Sequence, residues 1–385
     1  MKPSVTLAAF LIATFCTVTV SAQLASTQGG IAQTTTSPNA YVYVISSPIS
    51  GTYELDGYSA DSTGALTLLS GSPFWKTSKT LLAMANTSHW LFVSDGTYIY
   101  SFSIASTGGL KQVSSVNAAQ HYGFSGLAGV YLLLDHTGST LYALAEDGVG
   151  DNEFQFFSKN STTGALSYFG STGASAWYGY TAFTGNNLYA YGFGCIQDSP
   201  ADYGFRRGTD GSLTNLNIDP PIPTYPNGDY CPAGGVTADP GSDIAVPLNL
   251  ETSTQPPSPP VWLAVYTADS SGNLTTNSTY QNMPTAAVGW LDSIVASPAG
   301  NLLALGGTSG LQVFHFNGSN PITPYTGLLA VHELSRLAWD THNHLYGISP
   351  SGRLYAFKIT TTGYKQASGS PYSIGSPQAI TVLSK

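Results

Sequence analysis

The stretch Asp61-Ser62-Thr63-Gly64-Ala65-Leu66 is a polar turn around a glycine, after which an apolar residue resumes the chain. Glycine readily adopts the left-handed backbone conformation of tight turns, and Asp, Ser and Thr side chains stabilise such turns. The pattern recurs at 106–110, 162–166, 209–213 and 270–274, with weaker copies at 317–322 and 361–364. The average spacing of these seven copies is about 50 residues, within the range of β-propeller blades.

A second repeated element, two short apolar strands joined by a tight turn, lies between the copies of the first. The clearest example is residues 130–144, with the turn at Asp135–Ser139. The complete hairpins lie at 85–93, 130–144, 183–191, 239–246, 297–305 and 340–348. One more hairpin is split between the chain ends, with 378–382 as its first strand and 41–45 as its second.

Together the two elements predict an all-β fold, a seven-bladed β-propeller of four-stranded antiparallel blades. Each blade buries its faces against its neighbours around the ring. Pairing of the N- and C-terminal strands in one blade closes the ring and removes an exposed sheet edge. A β-helix has much shorter repeats, and two packed sandwiches would not predict closure between the chain ends.

The composition agrees with this architecture. Only 9% of the residues are charged, against roughly 25% in an average soluble domain, while the chain has 42 Gly and 24 Tyr. Long amphipathic helices are disfavoured, because their solvated faces need charged residues. The formal net charge is -9 and the 12 basic residues are scattered, which argues against a nucleic acid partner or an anionic membrane surface.

The N-terminal segment has the features of a secretory signal. Residues 1–22 combine Lys2, an apolar stretch and the small-residue site Val20-Ser21-Ala22, and 23–39 is a polar, flexible leader. A retained anchor is the alternative, although the apolar run is shorter than the roughly 20 residues of a membrane span. We therefore expect a single propeller domain at 40–385, secreted or periplasmic, monomeric, and without a membrane span once the signal is cleaved.

Cysteine usage fits an oxidising compartment. Cys16 is removed with the signal, so the mature chain retains only Cys195 and Cys231. An isolated pair in such a compartment is most simply a disulfide, and two free buried thiols are the alternative. The bridge would hold the proline-rich excursion between the two cysteines, in which Pro-Pro-Ile-Pro-Thr-Tyr-Pro cannot form a regular strand or helix.

Two segments carry a family resemblance. Residues 57–67 with 71–74, and 369–380 near the C-terminus, resemble repeats of secreted bacterial lactonase-like (YVTN-type) seven-bladed propellers. That family includes 6-phosphogluconolactonase-like and muconate-cycloisomerase-like enzymes. Its enzymes tend to have a Gly-Pro-Arg-His-like segment before an inner strand, and Leu334-Ser335-Arg336-Leu337 takes this place here. Arg336 matches the arginine of that segment, but Leu337 stands where the histidine would be.

The functional surface of a propeller is usually the face that carries the connectors between blades. Aromatic and polar side chains in these connectors suit a small polar ligand or a sugar ring. The ligand-binding candidates are His121, Trp177, Trp290 and Arg336. The alternative is that these side chains pack between blades.

Catalysis would require a group that activates water and a donor for an oxyanion. Only the stretch 332–336 offers imidazole, carboxylate and guanidinium groups together, so the catalytic candidates are His332, Glu333 and Arg336. The chain contains no G-x-S-x-G, S-x-x-K or H-E-x-x-H motif. Arg336 as a structural partner of Glu333 or Asp340 is the alternative.

No cofactor or metal is predicted. The one acidic cluster, at 146–153 between two strands of the third blade, is a weak calcium candidate, with a solvated loop as the alternative. Its carboxylates belong to Glu146, Asp147, Asp151 and Glu153. His342 and His344 lie two residues apart in a hairpin turn and are expected to be exposed.

The sequence favours a secreted binding or interaction module for an unidentified small molecule, glycan or protein. One alternative is a lactonase-like hydrolase acting on a small lactone. The other is a carbohydrate-binding or carbohydrate-active propeller that uses the connector aromatics.

Overall fold

Seven antiparallel sheets of four to six strands form the propeller in the computed structural model, and a two-stranded hairpin is separate from them. The structure describes residues 37–123, 126–146, 152–174, 181–196, 199–200, 202–226, 228–252, 255–329 and 331–385. Each sheet is a blade whose four principal strands, A to D, run from the centre outwards, which confirms the predicted fold class.

The strands A, B, C and D of each blade have the following bounds, in that order. Blade 1 comprises Ser376–Ser384, Ala40–Ile49, Thr52–Ala60 and Leu66–Leu68; blade 2 comprises Ala83–Asn86, Trp90–Ser94, Tyr98–Ile104 and Leu110–Asn117; blade 3 comprises Leu127–Leu134, Thr140–Glu146, Asn152–Lys159 and Leu166–Ala174. Blade 4 comprises Thr181–Phe183, Tyr189–Gly192, Tyr203–Arg207 and Leu213–Leu216; blade 5 comprises Thr237–Ala238, Asp243–Thr252, Gln255–Ala268 and Leu274–Thr275. Blade 6 comprises Leu291–Ala296, Leu302–Gly307, Gly310–His315 and Thr323–Pro324; blade 7 comprises Arg336–Trp339, His344–Ser349, Arg353–Thr360 and Gly363–Gln366.

Short elements supplement the blades. They are the strands Trp75–Thr77, Asp229–Pro232, Thr285–Ala286 and Tyr372–Ser373, the hairpin of Cys195–Ile196 and Ser199–Pro200, and the 3-10 helix Ala119–His121. No helix among the described residues is long and apolar enough to cross a membrane.

The chain ends close the ring in blade 1. Strand Ser376–Ser384 pairs antiparallel with Ala40–Ile49, and Val42 lies opposite Val382. Val42 and Val44 are buried against Tyr346 and Ile348 of blade 7, so the closing blade packs against blade 7 through an apolar cluster. The predicted closure is confirmed.

Tyrosines of strand B connect neighbouring blades. The hydroxyl of Tyr43 donates a hydrogen bond to the Gly108 carbonyl in the C–D turn of the next blade, at 2.9 Å. Tyr142 contacts the Gly211 carbonyl in the same way at 2.6 Å, and Tyr191 contacts that of Gly272 at 2.7 Å. These bonds give the abundant Tyr and the repeated turn glycines a shared role in joining blades.

Glycine is required in these turns for two reasons. Gly108 has a φ of 83°, in the left-handed region that side chains disfavour. A Cβ at Gly108 would also lie 2.6 Å from the Tyr41 ring. The glycine of the repeated sequence motif therefore permits both the turn and the close packing of the tyrosine.

Blade 7 uses a histidine where blades 1 and 4 use Tyr41 and Tyr189, whose hydroxyls donate to the Ser106 and Ser270 carbonyls. His344, the first residue of strand B, is fully buried, and its Nε2 lies 3.2 Å from the Ser62 carbonyl in the C–D turn of blade 1. The expectation that His344 is an exposed turn residue is therefore wrong, because the neighbouring blade covers it. His342 is exposed, as expected.

The predicted disulfide joins Cys195 to Cys231, with their Cα atoms 5.6 Å apart. Cys195 begins the short hairpin that follows strand B of blade 4, and Cys231 lies in Asp229–Pro232, which pairs with strand B of blade 5. The bridge therefore ties blade 4 to the edge of blade 5. Between these cysteines, Ile218–Thr224 forms neither strand nor helix, as its prolines predict.

Candidate functional site

A cavity of about 390 Å³ opens where the inner strands begin, on the face that carries the connectors between blades. Six blades each contribute an apolar residue to its wall: Leu82, Val130, Val236, Ile294, Leu337 and Ile380. We call this cavity the channel mouth. Its volume is in the range of small-molecule sites.

Among the described residues, blades 6 and 7 supply the charged side chains of the channel mouth. Asp292 is the second residue of strand A in blade 6, and Arg336 is the first residue of strand A in blade 7. The Ser293 hydroxyl accepts the N–H of Leu337 at 3.2 Å and so joins the two strands. This bond fixes the positions at which Asp292 and Arg336 enter the cavity.

Asp292 has an unusual environment for a carboxylate. Burial raises its pKa above the ordinary value, the charge of Glu333 raises it further, and the Arg336 guanidinium opposes the shift. Its Oδ2 atom is buried and has no hydrogen-bond partner among the described residues. A ligand that donated a hydrogen bond to this oxygen would relieve the cost of burying it.

Two glycines provide backbone donors on the blade 5 side of the channel mouth. Gly234 and Gly235 have φ angles of 77° and 85°, and both line the cavity. Neither N–H has a hydrogen-bond partner in the part of the chain that the structure describes. Open space surrounds the position of a Cβ on Gly234, so a ligand can approach its backbone.

The predicted catalytic stretch does not converge on one point. Arg336 lines the channel mouth, whereas His332 is exposed, and Glu333 is half-buried and acts on Asp292 through its charge. Leu334 between them is fully buried. Arg336 is the only one of the three predicted catalytic residues that lines this cavity among the described residues.

The predicted ligand-binding residues are also dispersed. His121 stacks on Tyr168 of the outer strand of blade 3, with ring centroids 3.9 Å apart and planes 4° apart. This position lies away from the channel mouth. Trp290 is 54% exposed at the start of blade 6, next to the cavity residues Leu291 and Asp292, and Trp177 lies outside the described residues.

The calcium candidates lie only in part within the described ranges. Glu146 ends strand B of blade 3 and pairs with Asn152, while Glu153 lies in strand C opposite Ala145. Asp147 and Asp151 lie outside the described residues. Across the described ranges, no three His, Cys, Asp or Glu residues form a group that could hold a metal ion.

Another charged cluster on the connector face is internally satisfied. Lys79 Nζ lies 3.0 Å from Asp95 Oδ2 and donates a hydrogen bond to the Tyr100 hydroxyl at 2.7 Å. Hydrogen bonds to Tyr100 and Asp95 raise the pKa of Lys79. The charged groups of this cluster are therefore paired with one another, whereas Asp292 Oδ2 has no hydrogen-bond partner among the described residues.

Sequence reasoning did not select Asp292, and it missed the glycine pair. The available signal was position: Asp292 precedes the apolar residues of an inner strand, and Gly234-Gly235 stands just before another inner strand. Inner strands of all blades begin around one channel, so polar or glycine residues at their starts meet there.

Solved structures of similar shape include a 6-phosphogluconolactonase candidate of Bacteroides fragilis, at a TM-score of 0.63 and 12% identity over 91% of this chain and 99% of that chain. They also include a periplasmic gluconolactonase of Pseudomonas aeruginosa, at a TM-score of 0.59 and 12% identity over 90% of this chain and 99% of that chain. A Lactobacillus plantarum protein aligns at a TM-score of 0.60 and 13% identity over 90% of this chain and 99% of that chain. At this identity the similarity shows the fold alone. No family model matches the chain, and no curated protein sequence matches it.

Proposed function

We propose that the protein is a binding propeller that holds a small polar ligand in the channel mouth. The observation that carries this proposal is the placement of Asp292, Arg336 and two glycines whose backbone N–H groups are unpaired among the described residues around one cavity of about 390 Å³. An apolar wall with a few convergent polar groups is the usual composition of a small-molecule site.

The chemistry of these groups defines the ligand class. Arg336 and the N–H groups of Gly234 and Gly235 are donors, so they suit a carboxylate or a carbonyl oxygen. Asp292 accepts hydrogen bonds from hydroxyl groups when it is ionised. A hydroxylated acid or its lactone, of the size of a single sugar, offers both kinds of partner.

We also propose that the mature protein is a monomer that works in an extracytoplasmic compartment. The Cys195–Cys231 disulfide supports this compartment, because such bonds persist in oxidising environments. The sequence features of 1–22 as a signal and 23–39 as a leader agree with it, although residues 1–36 lie outside the described part. The single propeller domain at 40–385 would then be the mature functional unit.

Arg336→Ala is expected to weaken the binding of an aldonate such as gluconate by about tenfold, because one charge-assisted contact is lost. Isothermal titration of the purified mature chain measures the change. The matched control is Arg353→Ala, which removes an arginine from strand C of the same blade, away from the channel mouth. Equal affinities of the wild type and Arg336→Ala would contradict the proposal, as would a loss in the control alone.

A second candidate function is lactone hydrolysis in the same cavity, favoured by the raised pKa of Asp292. In this reaction, the Asp292 carboxylate removes a proton from water, and the resulting hydroxide attacks the lactone carbonyl carbon. Arg336 and the glycine N–H groups stabilise the oxyanion. The ring C–O bond then breaks, and the leaving oxygen takes the proton from Asp292, which gives the open hydroxy acid.

Asp292→Asn is expected to reduce kcat for lactone opening about a hundredfold, the scale of a lost general base. Because the base must be ionised, wild-type activity should rise with pH through an apparent pKa above the roughly 4 of an ordinary carboxyl. The measurement is a pH profile over a panel of sugar lactones, corrected for spontaneous opening. If no lactone is turned over faster than by buffer, the hydrolase hypothesis is wrong, while the binding proposal is decided by titration alone.

A further inference from the structure

A groove of about 470 Å³ lies between two successive connectors, at 221–226 after blade 4 and 276–281 after blade 5. We propose that this groove binds neutral carbohydrate, at a site separate from the channel mouth. We call it the rim groove. It shares no lining residue with the channel mouth.

Two tyrosines give the rim groove its recognition surface. The rings of Tyr225 and Tyr280 have centroids 5.4 Å apart and planes at 86°, and both side chains are half-buried. Perpendicular rings form a corner in which one face can stack on the C–H groups of a sugar ring. Pro221 and Pro226 extend this surface with rigid, exposed rings.

The polar groups around the tyrosines are uncharged. Thr224, Thr279 and Gln281 are exposed, and their side chains make no hydrogen bonds within the described residues. They can therefore bond to ligand hydroxyls. Among the residues that the structure describes, no Asp, Glu, Lys, Arg or His lines the groove, although such residues would be needed to bind a phosphate, a sugar acid or a cation. The lining therefore suits a neutral hydroxylated ligand.

Both walls of the rim groove are held in place before a ligand arrives. The Tyr266 hydroxyl donates to the Pro221 carbonyl at 3.0 Å and anchors the first connector. In the second connector, the Thr279 N–H donates to Asn282 Oδ1 at 2.7 Å, and Asn282 Nδ2 donates to the Asn277 carbonyl at 3.0 Å. A site that is ordered in advance loses less conformational freedom on binding.

The floor behind the tyrosines is equally fixed. Tyr225 packs edge-to-face on Tyr230, with centroids 6.0 Å apart, and Tyr230 is 1% exposed. Cys231 of the disulfide follows directly in the chain. Tyr225 therefore presents its ring from a rigid support, as a binding platform requires.

The test is titration of the full mature chain with methyl glucoside, methyl galactoside, methyl mannoside and their disaccharides, followed by saturation-transfer NMR and calorimetry. Saturable binding of at least one of these sugars is expected, with about tenfold weaker binding by Tyr280→Ala, the scale expected for loss of one ring contact. Gln281→Ala, an exposed position where misfolding is no concern, should weaken binding several-fold.

Two control variants separate the sites. Tyr364→Ala removes a 49% exposed tyrosine from the outer strand of blade 7, and Arg336→Ala alters the channel mouth. Neither should change the affinity for neutral sugars. The proposal is wrong if no sugar of the panel binds saturably, if binding follows Arg336→Ala instead of Tyr280→Ala, or if a proline-rich peptide binds where the sugars do not. None of these outcomes bears on aldonate binding at the channel mouth.

Discussion

Replacing both bridged cysteines, as Cys195→Ser with Cys231→Ser, is expected to lower the free energy of unfolding by about 4 kcal/mol. The bridge joins residues 36 apart in sequence, and the figure is the loop-closure entropy that a crosslink of this span removes from the unfolded chain. The bridged segment contains Pro221 and Pro223, and strands C and D of blade 4 lie within it. Loss of the crosslink therefore affects a whole blade as well as the connector.

Urea unfolding of the wild type and the double variant, followed by tryptophan fluorescence, measures this difference. Dithiothreitol provides a matched control, because it should lower the wild-type midpoint to that of the variant and leave the variant unchanged. Two reactive thiols in the denatured, unreduced wild type would show that the bridge does not form, and the prediction would then be wrong.

The repeated turn shows why the blades could be predicted from sequence. A turn such as 61–66 and an alternating hairpin such as 130–144 are local patterns whose conformation depends on a few adjacent residues. Because the pattern occurs seven times, a weak match in one copy does not change the predicted fold. The closure between 41–45 and 378–382 followed because half a hairpin stood at each end of the chain.

The candidate site was predictable only in part, because it depends on contacts between blades. Arg336 was selected through a family resemblance and through its grouping with His332 and Glu333, and the structure places it in the channel mouth. Asp292 became a candidate only when its burial and the nearby charges of Glu333 and Arg336 were visible. His121 stays a predicted ligand-binding residue, but its ring stacks on Tyr168 of the next blade, away from the channel mouth. Sequence position alone does not distinguish these two outcomes.

His344 is the residue whose role was furthest from the sequence expectation. Its Nδ1 lies 2.7 Å from Asp340 Oδ2, and both side chains are fully buried. Its Nε2 faces the Ser62 carbonyl, which is 282 positions away in the sequence. The imidazole therefore lies between two oxygen atoms that can each accept a hydrogen bond from a ring N–H. The pair thus lies at the junction of blades 7 and 1, where the ring closes.

His344→Ala is therefore expected to destabilise the fold by about 3–5 kcal/mol at neutral pH, because it removes the imidazole that pairs with the buried Asp340 carboxylate. In the wild type, burial raises the pKa of Asp340. Hydrogen bonds from the side chain and backbone of His344, together with the charge of that residue, lower this pKa by more than burial raises it, so the pKa lies below the ordinary value. A carboxyl with a lowered pKa stabilises the fold above about pH 4, its unfolded value, and this stabilisation disappears as the pH falls through the folded value.

In His344→Ala the burial of Asp340 persists, the side-chain hydrogen bond and the charge of His344 are lost, and only the backbone hydrogen bonds still oppose the burial, so the pKa of this carboxyl should rise. The stability difference between wild type and variant should then be greatest near neutral pH and shrink as the solution is acidified, since protonation removes the unpaired charge. Urea midpoints measured at intervals between neutral and acidic pH give this difference directly. The control is His342→Ala in the same hairpin, whose exposed side chain should contribute within about 0.5 kcal/mol at every pH. A pH-independent loss in His344→Ala would mean that the imidazole stabilises the junction by packing alone, without pairing to Asp340.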